Sequence, residues 1–506
     1  MLLSEIIGRA SLQCFGEMPL EEIEISGICP DSSRVKPGDI FIAVKGLRAD
    51  GHLFVREAAN RGASALVVSR EAILNGTVDP RRFNGLPLIV VDDTRVAMAK
   101  LYAAFYNNPQ LNLKIIGVTG TNGKTTVCRL IYEMLISAGK RCALIGTMGC
   151  LSSGKRINIS SHNPCASMTT PDPEELYRIL ALARDDGAEY AVMEVTSHAL
   201  SLGKVAPICF ETAVFTNLSE DHLDFHGDME SYYQSKKRLF SMCRSAVINF
   251  DDRYGRRLSE EIEISPRLCS AEGRGTETYA EDISLLGERG IEYKLTSRSL
   301  RLRVRSPMSG GFNVMNTMQA ALVAHSLGVS VAHIKDTLAT FSGIKGRLER
   351  LKLPQGCEFS VFIDFAHTPD ALENLLRTAR GFARDGQRIV LLFGCGGDRD
   401  RGKRPIMGKF AVALADYVII TGDNSRSENV SDIISQIASG IDSNLSAGFT
   451  VIENRREAIE YAVRSARRGD IILLAGKGHE EYEIDSEGKR PFSERELVDE
   501  FVRKYW

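Results

Sequence analysis

The segment GVTGTNGKTT, residues 117–126, constrains the fold of this chain more than any other feature of its sequence. The apolar run LKIIGV leads into it, and TTVCRLIYEMLISAG continues from its end with apolar residues at three- and four-residue spacing. This pattern predicts a buried strand, a glycine-rich turn and a helix that stops at Gly139. Glycines in such a turn allow backbone N–H groups to approach a polyphosphate, and the helix N-terminus favours an anion. The segment, hereafter the phosphate loop, therefore predicts a nucleoside triphosphate site.

Single residues of the phosphate loop predict separate roles. Lys124 is placed to reach the outer phosphates, and the hydroxyl of Thr125 is placed to hold Mg²⁺. The common pattern has glycine where this chain has Val118, and here Gly117 and Gly120 flank that position. A glycine turn that only connects strand to helix is the alternative, which the strand–loop–helix context disfavours. The predicted ATP contacts in this segment are Gly120, Thr121, Asn122, Gly123, Lys124, Thr125 and Thr126.

The rest of the chain alternates between apolar runs and helical patterns. The runs AVMEV, TAVFTNL and SAVINF follow the phosphate loop, and VFIDF, RIVLLFG, YVIITGDN and DIILLAGKG lie beyond residue 343. Strands that alternate with helices predict an α/β fold with parallel sheets covered on both faces. We predict three domains: a smaller N-terminal α/β domain over 1–107, a central parallel-sheet ATPase domain over 108–343, and a C-terminal Rossmann-like domain over 344–506.

Composition excludes several classes of protein. With 43% hydrophobic and 25% charged residues, the 506-residue chain has enough apolar material for several cores. A net charge of -2 gives no global basic field, so we expect no nucleic-acid partner. The 11 cysteines lack zinc or disulfide spacing, which favours reduced thiols. The start of the chain has no secretory signal pattern and no apolar run is long enough to span a membrane, so we expect a cytoplasmic protein without membrane insertion.

Acidic residues and histidines after two of the predicted strands indicate a metal site. Glu194 ends AVMEV beside the phosphate loop, where a carboxylate is well placed for a cation; a surface acid is the alternative. The segment 216–240, TNLSEDHLDFHGDMESYYQSKKRLF, contains acids together with His222 and His226. Carboxylate oxygens and imidazoles bind divalent cations. Lys236 follows in a predicted helix, and its pattern alone is that of a solvated surface lysine.

Charged turns follow the strands of the C-terminal region. They are GCGGDRDRGKRP at 394–405, TGDNSR at 421–426 and GKGHEEYE at 476–483. Ligands of open α/β sheets bind at the carboxyl ends of the strands, where these turns meet. Arginines suit a carboxylate and acids suit an amine, so the three turns together predict a zwitterionic substrate. Taken singly, each is equally well an ordinary charged loop.

These motifs occur in an order and spacing that resembles the Mur ligase family along nearly the whole chain. The motifs are GVTGTNGKTT, MEVTSHAL, TNLSEDHLDFHGDM, FNVMNTMQAA, GRLER, DFAHTPDAL, GCGGDRDRGKRP, DNSR and AGKGHE. The resemblance implies a UDP-binding N-terminal domain, a central ATPase domain and a C-terminal Rossmann-like domain. It also implies a monomer and the use of Mg²⁺, with ATP as co-substrate.

The resemblance further implies an amide ligase of peptidoglycan precursor synthesis, and hence of cell-wall biogenesis, cell shape and cell division. The expected reaction joins meso-diaminopimelate to the D-glutamate of UDP-N-acetylmuramoyl-L-alanyl-D-glutamate. The D-glutamate carboxylate attacks the γ-phosphate of ATP, and the resulting acyl phosphate is attacked by the amine of the amino acid. The same reaction with L-lysine is the nearest alternative.

The resemblance assigns site residues by motif position. The expected catalytic residues are Lys124, Glu194, His222 and Lys236. Thr125, Glu194, His222 and Lys236 would hold metal, with Lys236 as a carbamate (N6-carboxylysine). The ATP side gains Asn313, Asn316, Arg347, Asp364 and His367. The UDP-muramoyl-dipeptide would contact Ser33, Leu47, Arg48, Ala49, Thr169, Thr170, Thr196 and Lys204. Diaminopimelate would contact Arg399, Asp423, Asn424, Arg426, Gly476 and Glu480, with Arg426 pairing the distal carboxylate that lysine lacks.

The chain departs from the family pattern at three positions. Ser425 stands in DNSR where the family has proline, and Leu202 and Lys204 stand where it has glutamine and arginine. Lys204 keeps the charge without the bidentate fork of arginine. Alternatives to the expected ligase are the lysine-adding synthetase, folylpolyglutamate synthetase, and a nucleotide-binding regulator or transport ATPase without ligase activity. The cation-rich C-terminal turns have no use in the last of these.

Overall fold

The computed structural model describes residues 1–12, 14–15, 20–46, 49–83, 85–157, 169–221, 223–273, 275–384, 386–441 and 448–506. The chain divides into two compact units. The first unit contains residues 1–218, 222–268 and 326–329, and the second unit contains residues 219–221, 269–325 and 330–506. Both units are α/β, which is the predicted fold class. The predicted domain boundaries at 107 and 343 stay a prediction.

The first unit contains two sheets and the helices that cover them. Its strands are β1 (Cys14–Phe15), β2 (Gly27–Cys29), β3 (Asp39–Ile42), β4 (Ala65–Ser69), β5 (Leu88–Val91), β6 (Lys114–Thr119), β7 (Cys142–Gly146), β8 (Gly149–Ser152), β9 (Lys155–Ile157), β10 (Tyr190–Glu194), β11 (Thr212–Phe215) and β12 (Ala246–Asn249). Its helices are α1 (Leu3–Ala10), α2 (Val55–Asn60), α3 (Arg70–Leu74), α4 (Thr94–Phe105), α5 (Lys124–Ser137), α6 (Pro173–Asp185), α7 (Ser197–Ser201), α8 (Leu223–His226), α9 (Met229–Lys237) and α10 (Arg253–Glu261).

Parallel pairing dominates both sheets of this unit. The N-terminal sheet has the order β1-β5-β4-β3-β2 and is parallel except for β1. In the second sheet β12, β11, β6, β10 and β7 run parallel, and β8 and β9 continue it antiparallel. The residues of β10 are all buried, as expected for a strand covered by helices on both faces. Its register sets Glu194 opposite Val118, so this carboxylate lies beside the start of the phosphate loop.

The second unit contains the remaining elements wholly or in part. Its strands are β13 (Arg267–Ser270), β14 (Thr278–Leu285), β15 (Ile291–Thr296), β16 (Arg301–Ser306), β17 (Glu349–Arg350), β18 (Ser360–Asp364), β19 (Ile389–Phe393), β20 (Tyr417–Ile420), β21 (Gly448–Val451), β22 (Ile471–Ala475), β23 (Tyr482–Asp485) and β24 (Gly488–Pro491). Its helices are α11 (Phe312–Ser326), α12 (Val331–Thr340), α13 (Pro369–Phe382), α14 (Lys403–Leu414), α15 (Val430–Ala438), α16 (Arg455–Arg464) and α17 (Glu494–Tyr505).

A six-stranded sheet organises the C-terminal part of the second unit. Its order is β17-β18-β22-β19-β20-β21, and all pairs except β17 with β18 are parallel. One apolar core lies under α13, α14 and α15, and the other lies under α16 and α17. The carboxyl ends of β18, β19, β20 and β22 therefore meet at one edge of the sheet.

The strands that the sequence predicted around the phosphate loop and in the C-terminal region are present, and so is the helix after the phosphate loop. Polar N-cap residues mark several helix starts: the side chains of Asp93, Thr368 and Asn454 accept backbone hydrogen bonds from α4, α13 and α16. The antiparallel strands β14, β15 and β16 were not predicted. Among the described residues, no helix combines the length and the apolar character that crossing a membrane requires.

Candidate active site

The phosphate loop has a backbone conformation that disfavours residues other than glycine at two positions. Gly120 has φ +147°, and a Cβ there would lie 1.9 Å from Thr216 Oγ1. Gly123 has φ +86° and is the N-cap residue of α5. Backbone in the left-handed region strains residues with a side chain. The loop is therefore fixed by backbone geometry before any ligand is considered.

Two residues that follow β11 hold the phosphate loop in place. Thr216 Oγ1 donates to Asn122 O at 2.5 Å, and Asn217 O accepts from Thr121 N at 2.9 Å. Asn217 Oδ1 accepts from Asn122 N at 2.9 Å. The motif TNLSED contains both residues, and no role was predicted for either of them. A polar pair directly after a neighbouring parallel strand was the available signal.

Two predicted site lysines converge on one carbonyl of the loop. Lys124 Nζ donates to Gly120 O and to Thr121 O, each at 2.8 Å. Lys236 Nζ also donates to Gly120 O at 2.8 Å and lies 4.6 Å from the centre of the Tyr232 ring. Lys236 is only 2% exposed, so it is not the solvated surface lysine that its pattern suggested. The structure thus brings the lysine from α9 to the phosphate loop.

The carboxylate of Glu194 meets the start of α5. Glu194 is 2% exposed, and its Oε2 accepts from Thr125 Oγ1 at 2.9 Å. Its Oε1 accepts from Thr147 N at 2.8 Å. A Cβ at Gly146 would lie 2.3 Å from Oε1, so the carboxylate packs directly over a bare backbone position. This brings the two predicted metal ligands Thr125 and Glu194 together.

Oxygen donors of this kind suit Mg²⁺. Mg²⁺ is usually bound by one or two carboxylates together with substrate phosphates and water. Glu194 and Thr125 at a phosphate-binding helix start match that donor set. In the part of the chain that the structure describes, no group of three or more His, Cys, Asp and Glu side chains is arranged to hold a metal. The predicted ligand His222 lies outside the described residues.

Three threonines predicted to contact the peptide substrate lie close to Glu194. Thr170 Oγ1 donates to Glu194 O at 2.9 Å and accepts from Thr196 N at 3.0 Å. The hydroxyls of Thr169 and Thr147 are 3.1 Å apart. Lys204 is buried, and its Nζ lies 2.7 Å from Asp172 Oδ1. The lysine that replaces the family arginine thus forms an ion pair with an acid just before α6.

Two residues predicted for the UDP side, Ser33 and Ala49, lie in connections between strands of the N-terminal sheet. Ser33 is in a short 3₁₀ helix, Ser32–Arg34, and its N and Oγ donate to Asp31 Oδ1 at 2.9 and 2.7 Å. Ala49 is exposed, and its carbonyl accepts from Gly46 N at 2.9 Å. Leu47 and Arg48 lie outside the described residues.

The residues predicted for the ATP side in the second unit fall into two groups. Asn313 and Asn316 are both buried on α11, where Asn316 Nδ2 donates to Asn313 Oδ1 at 3.0 Å. Asp364 ends β18, and its carboxylate accepts from Leu348 N at 2.6 Å. Burial raises the pKa of Asp364 above its ordinary value, although the nearby Arg347 acts in the opposite direction.

The second of these groups continues beyond the end of β18. The Arg347 guanidinium lies 5.0 Å from the centre of the Phe365 ring. His367 Nδ1 is 2.8 Å from Phe365 O, and Lys403 Nζ donates to His367 O at 2.8 Å. Lys403, at the start of α14, was not singled out from the sequence. Burial lowers the pKa of its ammonium group.

A charged network lies at the ends of β20 and β22. We call Asp423, Asn424, Arg426, Gly476, Lys477 and Glu480 the strand-end cluster. Asn424 Nδ2 donates to Glu480 Oε2 at 2.8 Å, and Asn424 Oδ1 accepts from Lys477 Nζ at 3.0 Å. Lys477 Nζ is also 3.6 Å from Asp423 Oδ1, and a Cβ at Gly476 would lie 2.6 Å from Asp423 Oδ2. The structure thus brings four predicted residues together and adds the fully buried Lys477, which the sequence analysis missed.

The pKa values of the two acids in the strand-end cluster, Asp423 and Glu480, are shifted in opposite directions. Burial acts to raise the pKa of Asp423, but the cations of Arg455 and Lys477 outweigh it and hold the pKa below its ordinary value. Burial raises the pKa of Glu480, which Asn424 opposes through its hydrogen bond. Asp423 is therefore the acid that stays ionised over the wider pH range.

Backbone contacts fix Arg426 at the edge of the strand-end cluster. Arg426 has φ +53°, and its N donates to Ile484 O at 3.1 Å. Its Nη1 donates to Gly397 O at 2.8 Å and to Asn424 O at 3.2 Å. Ser425, which stands where the family has proline, is buried in this loop. Arg399, from the other cation-rich turn, is exposed and donates to Asp398 O at 3.1 Å.

Comparisons with known proteins agree on one family along the chain. Residues 24–106 match the model of the Mur ligase family catalytic domain, 118–324 match the Mur ligase middle domain, and 346–478 match the Mur ligase glutamate ligase domain. A relative from Caldanaerobacter subterraneus subsp. tengcongensis is 40% identical over 482 residues, which is 95% of each chain. The chain belongs to the Mur ligase family.

Two relatives and one solved structure carry the same name. The Caldanaerobacter protein is named UDP-N-acetylmuramoyl-L-alanyl-D-glutamate--2,6-diaminopimelate ligase. A Synechococcus elongatus protein with the same name is 41% identical and covers 94% of this chain and 93% of its own. A solved structure of a ligase of that name is 30% identical, covers 99% of both chains and has a TM-score of 0.69.

A more distant structure shares the fold. The UDP-N-acetylmuramoylalanyl-D-glutamyl-2,6-diaminopimelate--D-alanyl-D-alanyl ligase from Acinetobacter baumannii is 20% identical, covers 94% of both chains and has a TM-score of 0.57. The fold of this ligase therefore extends over nearly the whole chain.

Proposed function

We propose that this chain is an ATP-dependent ligase that joins meso-diaminopimelate to the D-glutamate of UDP-N-acetylmuramoyl-L-alanyl-D-glutamate. The observation that carries the proposal is the strand-end cluster, in which fixed acids and a fixed arginine converge at the carboxyl ends of β20 and β22. Such a set matches a substrate that has both amines and carboxylates. Relatives 38–41% identical over most of the chain are named for this reaction.

The phosphate loop would bind and orient the triphosphate. Backbone N–H groups at the start of α5 favour the anion, and Lys124 and Lys236 already point their ammonium groups at the loop. Catalysis of phosphoryl transfer depends mainly on positioning and on neutralising charge. The D-glutamate carboxylate of the substrate would attack the γ-phosphate here, which gives an acyl phosphate and ADP. Thr170 and Thr196 would orient the peptide beside this position.

Thr125 and Glu194 would hold Mg²⁺, which supplies charge neutralisation on the phosphates when it is bound. Glu194 is buried, and its position is fixed from several sides by Thr125, Thr147 and the bare backbone of Gly146. A carboxylate held this firmly is preorganised for a cation and does not have to rearrange. His222 remains a predicted ligand.

Lys236 would act as a carbamate. Two lysine ammonium groups donate to the same carbonyl oxygen, Gly120 O, so their like charges oppose one another at short range. Loss of a proton from the Lys236 ammonium group gives the free amine, which adds to the carbon of CO₂ and releases a second proton. The resulting carbamate replaces one of the two cations by an anion and removes that repulsion. The carbamate would then supply oxygen atoms to the metal site near Glu194.

The strand-end cluster would bind the amino acid. Asp423 and Glu480 would accept its amines, and Arg426 and Arg399 would pair with its carboxylates. Arg426 carries the preference for diaminopimelate over L-lysine, because lysine has no distal carboxylate to pair with the guanidinium. The attacking amine forms the new amide bond at the acyl carbon, and phosphate leaves.

Phosphate release tests the ligase function directly. We expect release from ATP to require both the UDP-muramoyl-dipeptide and diaminopimelate, with a product mass that equals the sum of the two less one water. A panel of meso-diaminopimelate, L-lysine and L-ornithine tests the amino acid, and we expect the first to be strongly preferred. ATP hydrolysis at full rate without either substrate would contradict the ligase function, and equal use of lysine would contradict the role of Arg426.

Three further predictions accompany this function. We propose a cytoplasmic location, because the expected nucleotide-linked substrate and ATP are both cytoplasmic compounds. We also propose a monomer, and domain boundaries close to residues 107 and 343. Size-exclusion chromatography with light scattering tests the monomer, and limited proteolysis tests the boundaries.

A further inference from the structure

Arg455 has no role in the assignments above, yet it is one of the largest fully buried side chains among the described residues. It is the first residue of α16 and is 1% exposed. Its Nε and Nη2 donate to Glu494 Oε1 at 2.9 and 2.8 Å. Its Nη1 donates to Gly422 O at 3.2 Å, and its Nη2 also donates to Ala475 O at 2.7 Å. One guanidinium therefore serves a carboxylate and two backbone carbonyls.

The two carbonyls come from the segments that form the strand-end cluster. Gly422 directly precedes Asp423 after β20, and Ala475 is the last residue of β22 and directly precedes Gly476. Asp423 and Gly476 are in close contact, since a Cβ at Gly476 would lie 2.6 Å from Asp423 Oδ2. Arg455 thus binds both strand ends one residue before the groups that face the expected amino acid.

A purely structural role for Arg455 needs only its partner acid. Glu494 begins α17, so the ion pair alone would join α16 to α17. The bonds to Gly422 O and Ala475 O are additional, and they depend on the planar fork of arginine, which sends donors in several fixed directions. A lysine places all its donors on one nitrogen atom and cannot span these three acceptors in the same way. Arg455 is also the foremost cation holding the pKa of Asp423 low against burial.

We propose that Arg455 is a positioning residue for the amino-acid substrate, because its hydrogen bonds to Gly422 O and Ala475 O set the distance between Asp423 and Gly476. It acts through these residues and does not touch the substrate. The inference rests on the proposed function, since it concerns the amino-acid site of that reaction. Small displacements of binding groups weaken binding strongly when the site is otherwise rigid.

The chain offers a matched control at the opposite edge of the same sheet. Arg388 directly precedes β19 and donates to Asp470, directly before β22, through Nε at 3.1 Å and Nη2 at 2.7 Å. Asp470 is 2% exposed, so this is also a bidentate pair with a buried acid. It lies at the amino ends of the strands, away from the strand-end cluster. R388K therefore loses a comparable pair without disturbing the amino-acid site.

The experiment measures the KM values for diaminopimelate and ATP, together with the Tm, for the wild type, R455K and R388K. For R455K we expect the KM for diaminopimelate to rise at least about tenfold, with the KM for ATP within about twofold. For R388K we expect both KM values to stay within about twofold although the Tm falls. The inference is overturned if the KM for diaminopimelate rises no more in R455K than in R388K. It is also overturned if the KM for ATP rises in R455K as much as the KM for diaminopimelate.

Two further variants keep the test decisive if R455K does not fold. R455Q removes the charge but retains two N–H donors, and it takes the place of R455K with the same expected separation of the two KM values. E494Q keeps Arg455 and both carbonyl acceptors, so we expect a lower Tm with a KM for diaminopimelate within about threefold. The inference is overturned if the KM for diaminopimelate rises as much in E494Q as in the Arg455 variant. If neither Arg455 variant folds, a tenfold rise of this KM in E494Q overturns the inference. Failure of the wild type to incorporate diaminopimelate instead overturns the proposed function.

Discussion

The phosphate loop and the strand-end cluster are held together by different kinds of interaction. The loop depends on glycines in backbone conformations that strain other residues and on hydrogen bonds among backbone groups, threonines and asparagines. The strand-end cluster depends on buried charges that offset one another, Asp423 against Lys477 and Arg455. A site for a triphosphate needs many N–H donors in a fixed array, whereas a site for a zwitterion needs both signs of charge at set distances.

This difference determines what each site tolerates. A loop made of backbone fails when a side chain intrudes, because neighbouring atoms have no room to move. A site made of balanced charges fails when one partner is removed, because the remaining charge stays buried without compensation. The two sites are therefore expected to respond differently to substitution, and four experiments test this difference.

The largest effect is expected for Lys236→Ala. Loss of the Lys236 side chain, whose Nζ donates to Gly120 O, should lower kcat about 10³-fold, because the lysine or its carbamate would stabilise charge during phosphoryl transfer. Added short carboxylates should restore part of the activity. Lys237→Ala is the matched control, since the neighbouring lysine pairs with Glu261 at 2.9 Å on a more open surface. Near-normal turnover of Lys236→Ala would refute the carbamate role.

A side chain at Gly120 should cost about 10²-fold in kcat/KM for ATP, because the loop must shift to accept it. In Gly120→Ala the new Cβ would lie 1.9 Å from Thr216 Oγ1. Gly139→Ala is the control: its φ is +75° but nothing lies within 4 Å of the added Cβ, so only a stability loss of about 1–2 kcal/mol is expected. Equal ATP kinetics in the two variants would show that the loop is not held rigidly.

Removal of the Arg426 side chain should impair the use of diaminopimelate much more than the binding of ATP. Arg426→Ala should lower kcat/KM for diaminopimelate by at least about 2 kcal/mol, or roughly 30-fold, because a substrate carboxylate loses its charge partner. Affinity for ATP should change little, and the preference over lysine should shrink. Arg401→Ala, which removes an arginine 67% exposed beside Glu428, is the control. Equal loss for both substrates would count against a role in specificity.

The smallest effect concerns acid stability. The pKa of Asp423 is lowered in the folded chain, so its ionised form contributes stability above the unfolded pKa, and this contribution is lost as the pH falls through the folded pKa. Asp423→Asn should lower stability by about 1 kcal/mol at neutral pH. The difference from the wild type should narrow below about pH 4. Thermal unfolding from pH 3 to 7 checks this, with the exposed Asp432→Asn as control; a constant difference would contradict it.

The sequence predicted the phosphate loop well because its parts are contiguous. Glycine spacing, the preceding apolar run and the following helical period are all local signals, and the structure has the strand, turn and helix at those residues. The hydrogen bonds from Thr216 and Asn217 to the phosphate loop were not predicted, because they depend on the pairing of β11 with β6. Such pairing between distant segments leaves no mark on the loop itself.

The strand-end cluster was predicted in outline and missed in detail. The rule that ligands meet at the carboxyl ends of parallel strands selected the right turns. It did not select Lys477, whose buried ammonium group looks in sequence like an ordinary charged residue, or Arg455, which reaches the cluster from the start of a helix. Lys236 was chosen by family resemblance, because the pattern around it is that of a surface helix. Side chains whose role depends on tertiary contacts therefore needed the structure.

The two loop acceptors of Lys124 have a consequence for nucleotide exchange. Lys124 Nζ donates to Gly120 O and to Thr121 O within the loop. An incoming phosphate then replaces a neutral carbonyl as acceptor, and the gain is the difference between a charged and an uncharged hydrogen bond. When the outer phosphate departs, both carbonyls are available to take the ammonium group back. The lysine therefore has hydrogen-bond partners with and without the phosphate, which favours rapid exchange over tight retention of ADP.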